Sequence, residues 1–280
     1  MKDKIISFFK GAWIGGTMTV PGVSGGSMAM ILNIYERVIN SVSSFRKDVK
    51  NNLIFLIIFA SGGLLGALLF SKYIIMPLME LYPMPTGYFF LGAVAGGAPI
   101  ILKTANVKKV NFKTFACPIA GMIPVLLIAL IPNGIFHQTN SLTVAGCVIQ
   151  LFGGLFVAIP LVLPGISVSQ VLLMMGIYET LIKAAGTADF ATLFSFTPMY
   201  IGIIIGTLAM AKIMDKAMTK YPTVTYLVIF GFLLGSLPQL MLFAGLPTGL
   251  DIPICIVTAF AGFCFIYFLQ ILDGTRKGSK

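Results

Sequence analysis

Charge is scarce in this chain. Charged side chains make up 10% of its 280 residues, only nine of them acidic, and there is one histidine and one tryptophan. So little charge, with 58% hydrophobic residues and a mean hydropathy of +0.98, excludes an ordinary soluble domain. A lone histidine, His137 in the polar stretch 133–141, excludes phosphoryl-transfer chemistry that needs a second histidine. The four cysteines, Cys117, Cys147, Cys255 and Cys264, lie in apolar segments without metal-ligand spacing, so they read as small buried hydrophobes. No metal, cofactor or enzymatic chemistry is expected. No low-complexity segment or soluble basic domain accompanies the net charge of +10, so nucleic acid is not an expected partner. Loop charges that set membrane topology account for it instead.

Long apolar runs are what the chain has. They fall at about 53–78, 87–102, 115–131, 198–214, 223–243 and 252–272, near the ~20 residues a helix needs to cross a bilayer. The expectation is an all-α polytopic membrane protein.

Two further segments are interrupted, and in the same way. Pro21-Gly22-Val23-Ser24-Gly25-Gly26-Ser27 leads through an apolar run to Ile34-Tyr35-Glu36-Arg37, and Pro164-Gly165-Ile166-Ser167-Val168-Ser169-Gln170 leads to Ile177-Tyr178-Glu179-Thr180, at a constant offset of 143 residues. Proline cannot continue a helix and glycine permits backbone angles other residues avoid. The serine that follows can cap a new helix, and Ser167 with Gln170 has capping-box spacing. Each copy therefore predicts a helix break, with arms at 4–20 and 24–40, and at 143–163 and 167–183. Inside a bilayer such a break is tolerated only against protein or a wet cavity.

The recurrence extends further. Gly66 and Lys72 recur as Gly206 and Lys212, Tyr82-Pro83 as Tyr221-Pro222, and Gly92, Gly96 and Pro99 as Gly231, Gly235 and Pro238. Two membrane repeats are expected, 1–139 and 140–280, each a broken, re-entrant hairpin plus three transmembrane helices. If each hairpin enters and leaves by one face and the N-terminus is inside, every Lys and Arg except Lys72 and Lys183 is cytoplasmic. If each hairpin crosses instead, the basic residues divide almost evenly. The positive-inside rule selects the first arrangement, with both termini cytoplasmic and the second repeat inverted relative to the first. Inverted repeats with paired broken helices are a secondary-transporter architecture, with the substrate site at the breaks.

Helix N-termini favour anions, phosphate especially. Pro21, Gly22, Ser24, Gly25, Gly26 and Ser27 in one copy, and Pro164, Gly165, Ser167, Ser169 and Gln170 in the other, are the candidate phosphate binders, with Gly25-Gly26 letting backbone approach a ligand. Arg37 pairs with Glu36 or draws a lipid phosphate. Glu36 and Glu179, each beside a tyrosine (Tyr35, Tyr178), either exchange protons in apolar surroundings or stand at the membrane interface. Lys72 and Lys212 are phosphate anchors or snorkelling side chains.

The PGVSGGS…IYERVI and LPGIS…LLMMGIYETLI motifs, and the chain around them, resemble the bacterial polyprenyl-phosphate transporter family. That resemblance implies a flippase in the bacterial cytoplasmic membrane whose lipid partner is undecaprenyl phosphate, returned across the membrane for reuse in wall-polymer synthesis. Val168-Ser169 stand where the first copy has Gly25-Gly26, so the resemblance implies unequal phosphate contact by the two breaks. From the residues alone, a soluble-anion transporter or channel and a membrane enzyme acting on lipid phosphates remain alternatives.

Overall fold

The computed structural model describes residues 2–18, 20, 23–107, 109–132, 143–187, 189–249 and 251–277. Among them there are helices and no strands. Helix α1 (Lys2–Thr17) is followed by two short helices, α2 (Gly25–Ile31) and α3 (Tyr35–Ser43), and by a single 3-10 turn at Phe45–Lys47. One continuous helix then runs from Val49 to Leu81, as α4 (Val49–Leu65), a wider π-helical stretch (Gly66–Ile75) and α5 (Met76–Leu81). Helices α6 (Pro83–Ala105) and α7 (Phe112–Ala129) complete the first half. The second half has α8 (Val144–Val162), short α9 (Val168–Met174) and α10 (Tyr178–Gly186), α11 (Phe190–Ser195), α12 (Thr197–Lys220), α13 (Pro222–Ala244) and α14 (Asp251–Lys277). The short helices match in length, seven and nine residues in each half.

Small residues decide how these helices pair. A Cβ added to Gly15 would collide with the backbone of Gly63, and one on Gly154 with that of Met199, so α1 lies tightly on α4 and α8 on α12. Gly92 meets Ala259 and Gly231 meets Pro118 in the same manner, drawing α6 onto α14 and α7 onto α13. Lipid supplies little hydrophobic force between helices, and such close backbone approach is how they associate there. The α1–α4 pair of the first half is matched by α8–α12 in the second, α6–α14 and α7–α13 each join one half to the other, and α6 packs on α13. Outward faces carry bare apolar side chains, among them Leu64, Leu68, Ile204, Val257 and Phe260. In water so large an apolar surface would aggregate. With seven helices among the described residues long and apolar enough to cross a bilayer, the molecule is an all-α polytopic membrane protein.

Eleven residues after the glycine of each break, the structure departs from expectation. The arms expected at 24–40 and 167–183 are not continuous helices. Each is cut at a left-handed residue, Asn33 (φ 52°) or Gly176 (φ 70°). At the first cut the Ile34 N–H donates to the Ala29 carbonyl (2.9 Å) and the Asn33 N–H to Met30 (2.9 Å). At the second, Ile177 donates to Leu172 (3.1 Å) and Gly176 to Leu173 (2.9 Å). These paired bonds are a Schellman termination, which satisfies the last carbonyls of α2 and α9. Asn and Gly tolerate the left-handed geometry it needs. The sequence signal was present, an Asn or Gly directly before the Ile-Tyr-Glu run. A seven-residue helix rises only ~10 Å, so neither arm can span the membrane beyond its break as one helix.

Candidate functional site at the paired helix breaks

The two breaks meet. A Cβ on Gly26 would lie 2.9 Å from the Cα of Pro164, so the first break presses directly on the second. The Gly165 N–H donates to Ser27 Oγ (2.8 Å), and the Tyr35 hydroxyl donates to the Val162 carbonyl (2.8 Å), one of the α8 carbonyls left without a helical partner. Side chains of the first half thus satisfy backbone groups that the second break leaves open. Gly165 has φ 88° and packs on the backbone of Phe232, half-way along the 23-residue α13. Helix α8 likewise ends against α12 where Gly206 faces Ala158, with the C-terminal half of α12 left to pack on α3. Although α8 is long enough to cross, its end and both breaks sit at mid-height of the bundle.

Several expectations need correction. Ser167 does not form a capping box with Gln170. Its side chain makes no cap bond but shares a hydrogen bond with Ser169 (2.8 Å), because the two hydroxyls, two residues apart, reach one another at the start of α9. Arg37 does not pair with Glu36. Its guanidinium lies 4.3 Å from the centre of the Phe55 ring, and Glu36 instead accepts from the hydroxyl of Tyr226 on α13. Neighbouring residues on a helix point apart, which is why a sequence-adjacent pair fails. Gly25 and Gly26 give no open approach to a ligand in this state, since a Cβ on Gly25 would run into Met18 and one on Gly26 into the other break.

Other predicted residues are placed as follows. Pro21, Gly22 and His137 lie outside the described residues. Ser24 is 2% exposed, stands just before α2, and its hydroxyl has no hydrogen-bond partner among the described residues. Gln170 and Tyr178 are half-buried beside the second break. Glu36 and Glu179 occupy the first turns of α3 and α10, where a carboxylate complements the helix dipole. Glu179 is exposed with no partner among the described residues. Lys72 and Lys212 are both exposed and far from the breaks along their helices, Lys72 over the Tyr73 ring in the π-helical stretch.

Five residues escaped the sequence reading. Lys10 Nζ donates to the Leu32 carbonyl (2.7 Å) at the end of α2, a cation within an apolar helix that could have been singled out. Gln150, 3% exposed on α8 with its Oε1 unpartnered among the described residues, was equally visible as a lone amide. Tyr226, and the Ser43 to Asp215 bond (2.8 Å) joining α3 to α12, had no local signal, because only tertiary packing brings those helices together.

Removing hydroxyls at the breaks should separate two roles. Ser27→Ala deletes the partner of a buried N–H and should destabilise the fold by about 1–3 kcal/mol in detergent thermal melts. Ser24→Ala deletes a hydroxyl that is unpaired here, so the melt should stay unchanged or rise. A loss of stability in Ser24→Ala as large as in Ser27→Ala would show that Ser24 has a structural partner.

Such a molecule, with two broken helices interlocked at the centre of a bundle that spans the membrane, belongs to the broken-helix class of polytopic membrane proteins. Residues 14–248 match the VCA0040-like family model, described as undecaprenyl phosphate translocase-like, and the chain belongs to that family. It is 34% identical over 254 residues to a polyprenyl-phosphate transporter of Staphylococcus aureus, covering 88% of this chain and 89% of that protein. A polyprenyl-phosphate transporter of Vibrio cholerae is 26% identical over 249 residues, covering 84% and 76%. No solved structure matches the chain.

Proposed function

We propose that this protein moves a polyprenyl phosphate, undecaprenyl phosphate, inward across the bacterial cytoplasmic membrane, returning a carrier lipid for wall-polymer synthesis. The family and its named relatives support the substrate class. The observation that carries the reading is the seam itself: two broken helices meet at mid-height, with the buried Ser24 hydroxyl, which has no partner among the described residues, beside the junction. An unsatisfied buried donor costs about 1–3 kcal/mol, a cost a phosphate oxygen would relieve once the seam opens. Ser27, Ser167, Ser169, Gln170 and the backbone around Gly22, Gly25, Gly26 and Gly165 would complete the cradle, with Pro21 and Pro164 enforcing the breaks. The interlocked seam corresponds to an occluded state. Parting the breaks toward either face would expose the phosphate site there, while the polyprenyl tail stays in lipid along the apolar exterior.

In this reading residues 1–139 and 140–280 are inverted repeats, and both termini and the 103–113 loop face the cytoplasm. The α3 to α12 bond lies at that end, consistent with a bundle closed toward the cytoplasm. Single cysteines at Lys109 and Thr187, in a background lacking the four native cysteines, should label from opposite sides of the membrane. Labelling of both from one side would refute the inversion.

The decisive experiment is uptake of labelled undecaprenyl phosphate by proteoliposomes, with a soluble anion as the parallel substrate. Time-dependent accumulation of the lipid alone is the expected result. Transport of the soluble anion alone would replace this reading with anion transport. Release of free phosphate from the lipid would replace it with an enzyme.

A further inference from the structure

Away from the breaks, α1, α3 and α4 enclose a pocket of about 140 Å³. Lys4 and Ser7 of α1, Arg37 of α3 and Asn51 of α4 form its polar side, and Phe55 and Ile58 of α4 its apolar side. The Ser7 hydroxyl is engaged with the Asp3 carbonyl (2.8 Å) and the Asn51 amide with the Asp48 carboxylate (2.8 Å). Lys4 and Arg37 are the uncommitted groups, because neither is paired with a carboxylate among the described residues. Arg37 is held by its ring contact, guanidinium carbon 4.3 Å from the Phe55 centroid. Stacking of that kind fixes the plane of the guanidinium and leaves its N–H edge free for an anion.

We infer that this pocket binds the phosphate monoester head of a single-chain lipid, as a docking site distinct from the breaks. Three observations select that ligand class. Two unpaired cations converge, one a planar fork and the other a point charge, a donor set suited to phosphate oxygens. The wall is apolar on one side, and the same face of α4 continues to Leu65, seven residues beyond Ile58 and 44% exposed, so an attached chain can leave along the helix into lipid. Exposed Arg46, Lys47 and Lys50 near the same end of α4 would gather anionic lipid toward the mouth.

The pocket belongs to one half only. At the offset of 143 that relates the breaks, Lys4, Ser7 and Arg37 correspond to Cys147, Gln150 and Thr180, so the second half has no cation at any of these places. The two breaks are a matched pair, whereas this site is single. A one-sided docking site gives the path a direction. Its position in the path, at the cytoplasmic end, rests on the transport reading above. Its chemistry does not.

Native mass spectrometry of the full chain in detergent tests it, titrating dodecyl phosphate, dodecanol and inorganic phosphate. The parent should bind dodecyl phosphate, with dodecanol and inorganic phosphate each about tenfold weaker or worse. Lys4→Gln/Arg37→Gln should weaken dodecyl phosphate by about tenfold or more, since two charge-assisted contacts are lost. Ile58→Trp, which fills the pocket without touching its charge, should do the same and serves if the double variant does not fold. A folded double variant that binds like the parent overturns the inference, as does a parent that binds no alkyl phosphate. Inorganic phosphate binding as tightly as dodecyl phosphate overturns the lipid assignment in favour of a free-anion site. Undecaprenyl phosphate uptake measured in parallel separates the two proposals. Uptake with binding indifferent to Lys4 and Arg37 refutes the pocket alone, and dependence on both residues without uptake refutes transport alone.

Discussion

Leucine at position 26 should abolish lipid uptake while leaving a folded protein in the membrane. Even a single Cβ there falls 2.9 Å from the Pro164 backbone, and backbone cannot swing aside as a side chain can. The larger side chain must wedge the breaks apart, which separates Ser27 from the Gly165 N–H and Tyr35 from the Val162 carbonyl. Overpacking of this kind typically costs about 1–3 kcal/mol, less than the stability of most folded domains, so the bundle should survive. The loss falls instead on the seam, where closure is needed for one step of each cycle. Uptake in proteoliposomes should drop to the protein-free background, with gel-filtration behaviour preserved. Gly25→Leu displaces only the flexible Met18 side chain and should be milder. Normal uptake by folded Gly26→Leu would mean that the contact between breaks is incidental to transport.

Coupling offers the second large effect. Net inward recovery of a lipid needs an energy source, and Glu36 and Glu179 are the carboxylates that recur beside the breaks, once in each half. Glu36→Gln and Glu179→Gln should retain lipid binding and lose the response of uptake to an imposed pH gradient. Glutamine preserves shape and hydrogen bonding while removing titration. The surroundings of the two sites differ, and this sharpens the test. Both carboxylates are exposed, but Glu36 accepts from the buried Tyr226, whereas Glu179 has no partner among the described residues. Tyr226→Phe should therefore reproduce the effect of Glu36→Gln and leave Glu179 unaffected. If uptake by both glutamine variants still follows the gradient as the parent does, the carboxylates serve as first-turn charges on α3 and α10 and the driving ion acts elsewhere.

The ease of reading this chain varied with the range of the interactions concerned. Membrane spans were legible because lipid imposes one rule along the whole chain: apolar runs near a fixed length, with every backbone group satisfied inside the helix. The breaks were legible because Pro and Gly act locally. The Schellman turns at Asn33 and Gly176 were equally local, yet the apolar residues around them read as continuous helix, and a single left-handed residue outweighed that pattern. Arg37 and Glu36 misled for a different reason. Adjacency in sequence suggested a pair, and each found its partner on another helix, Phe55 on α4 and Tyr226 on α13.

By itself the sequence determined the class of this protein, the two breaks and their common offset, since each follows from composition or from residues within a turn of one another. Tertiary structure alone decided that the breaks touch each other, that Ser27 serves Gly165, that Ser24 is buried without a partner among the described residues, and that Lys4 and Arg37 face one pocket. Those facts depend on which helix faces approach. That choice was made by glycines such as Gly15, Gly92, Gly154 and Gly231, whose backbone contacts bring together residues far apart along the chain and leave no mark in the local pattern of either partner.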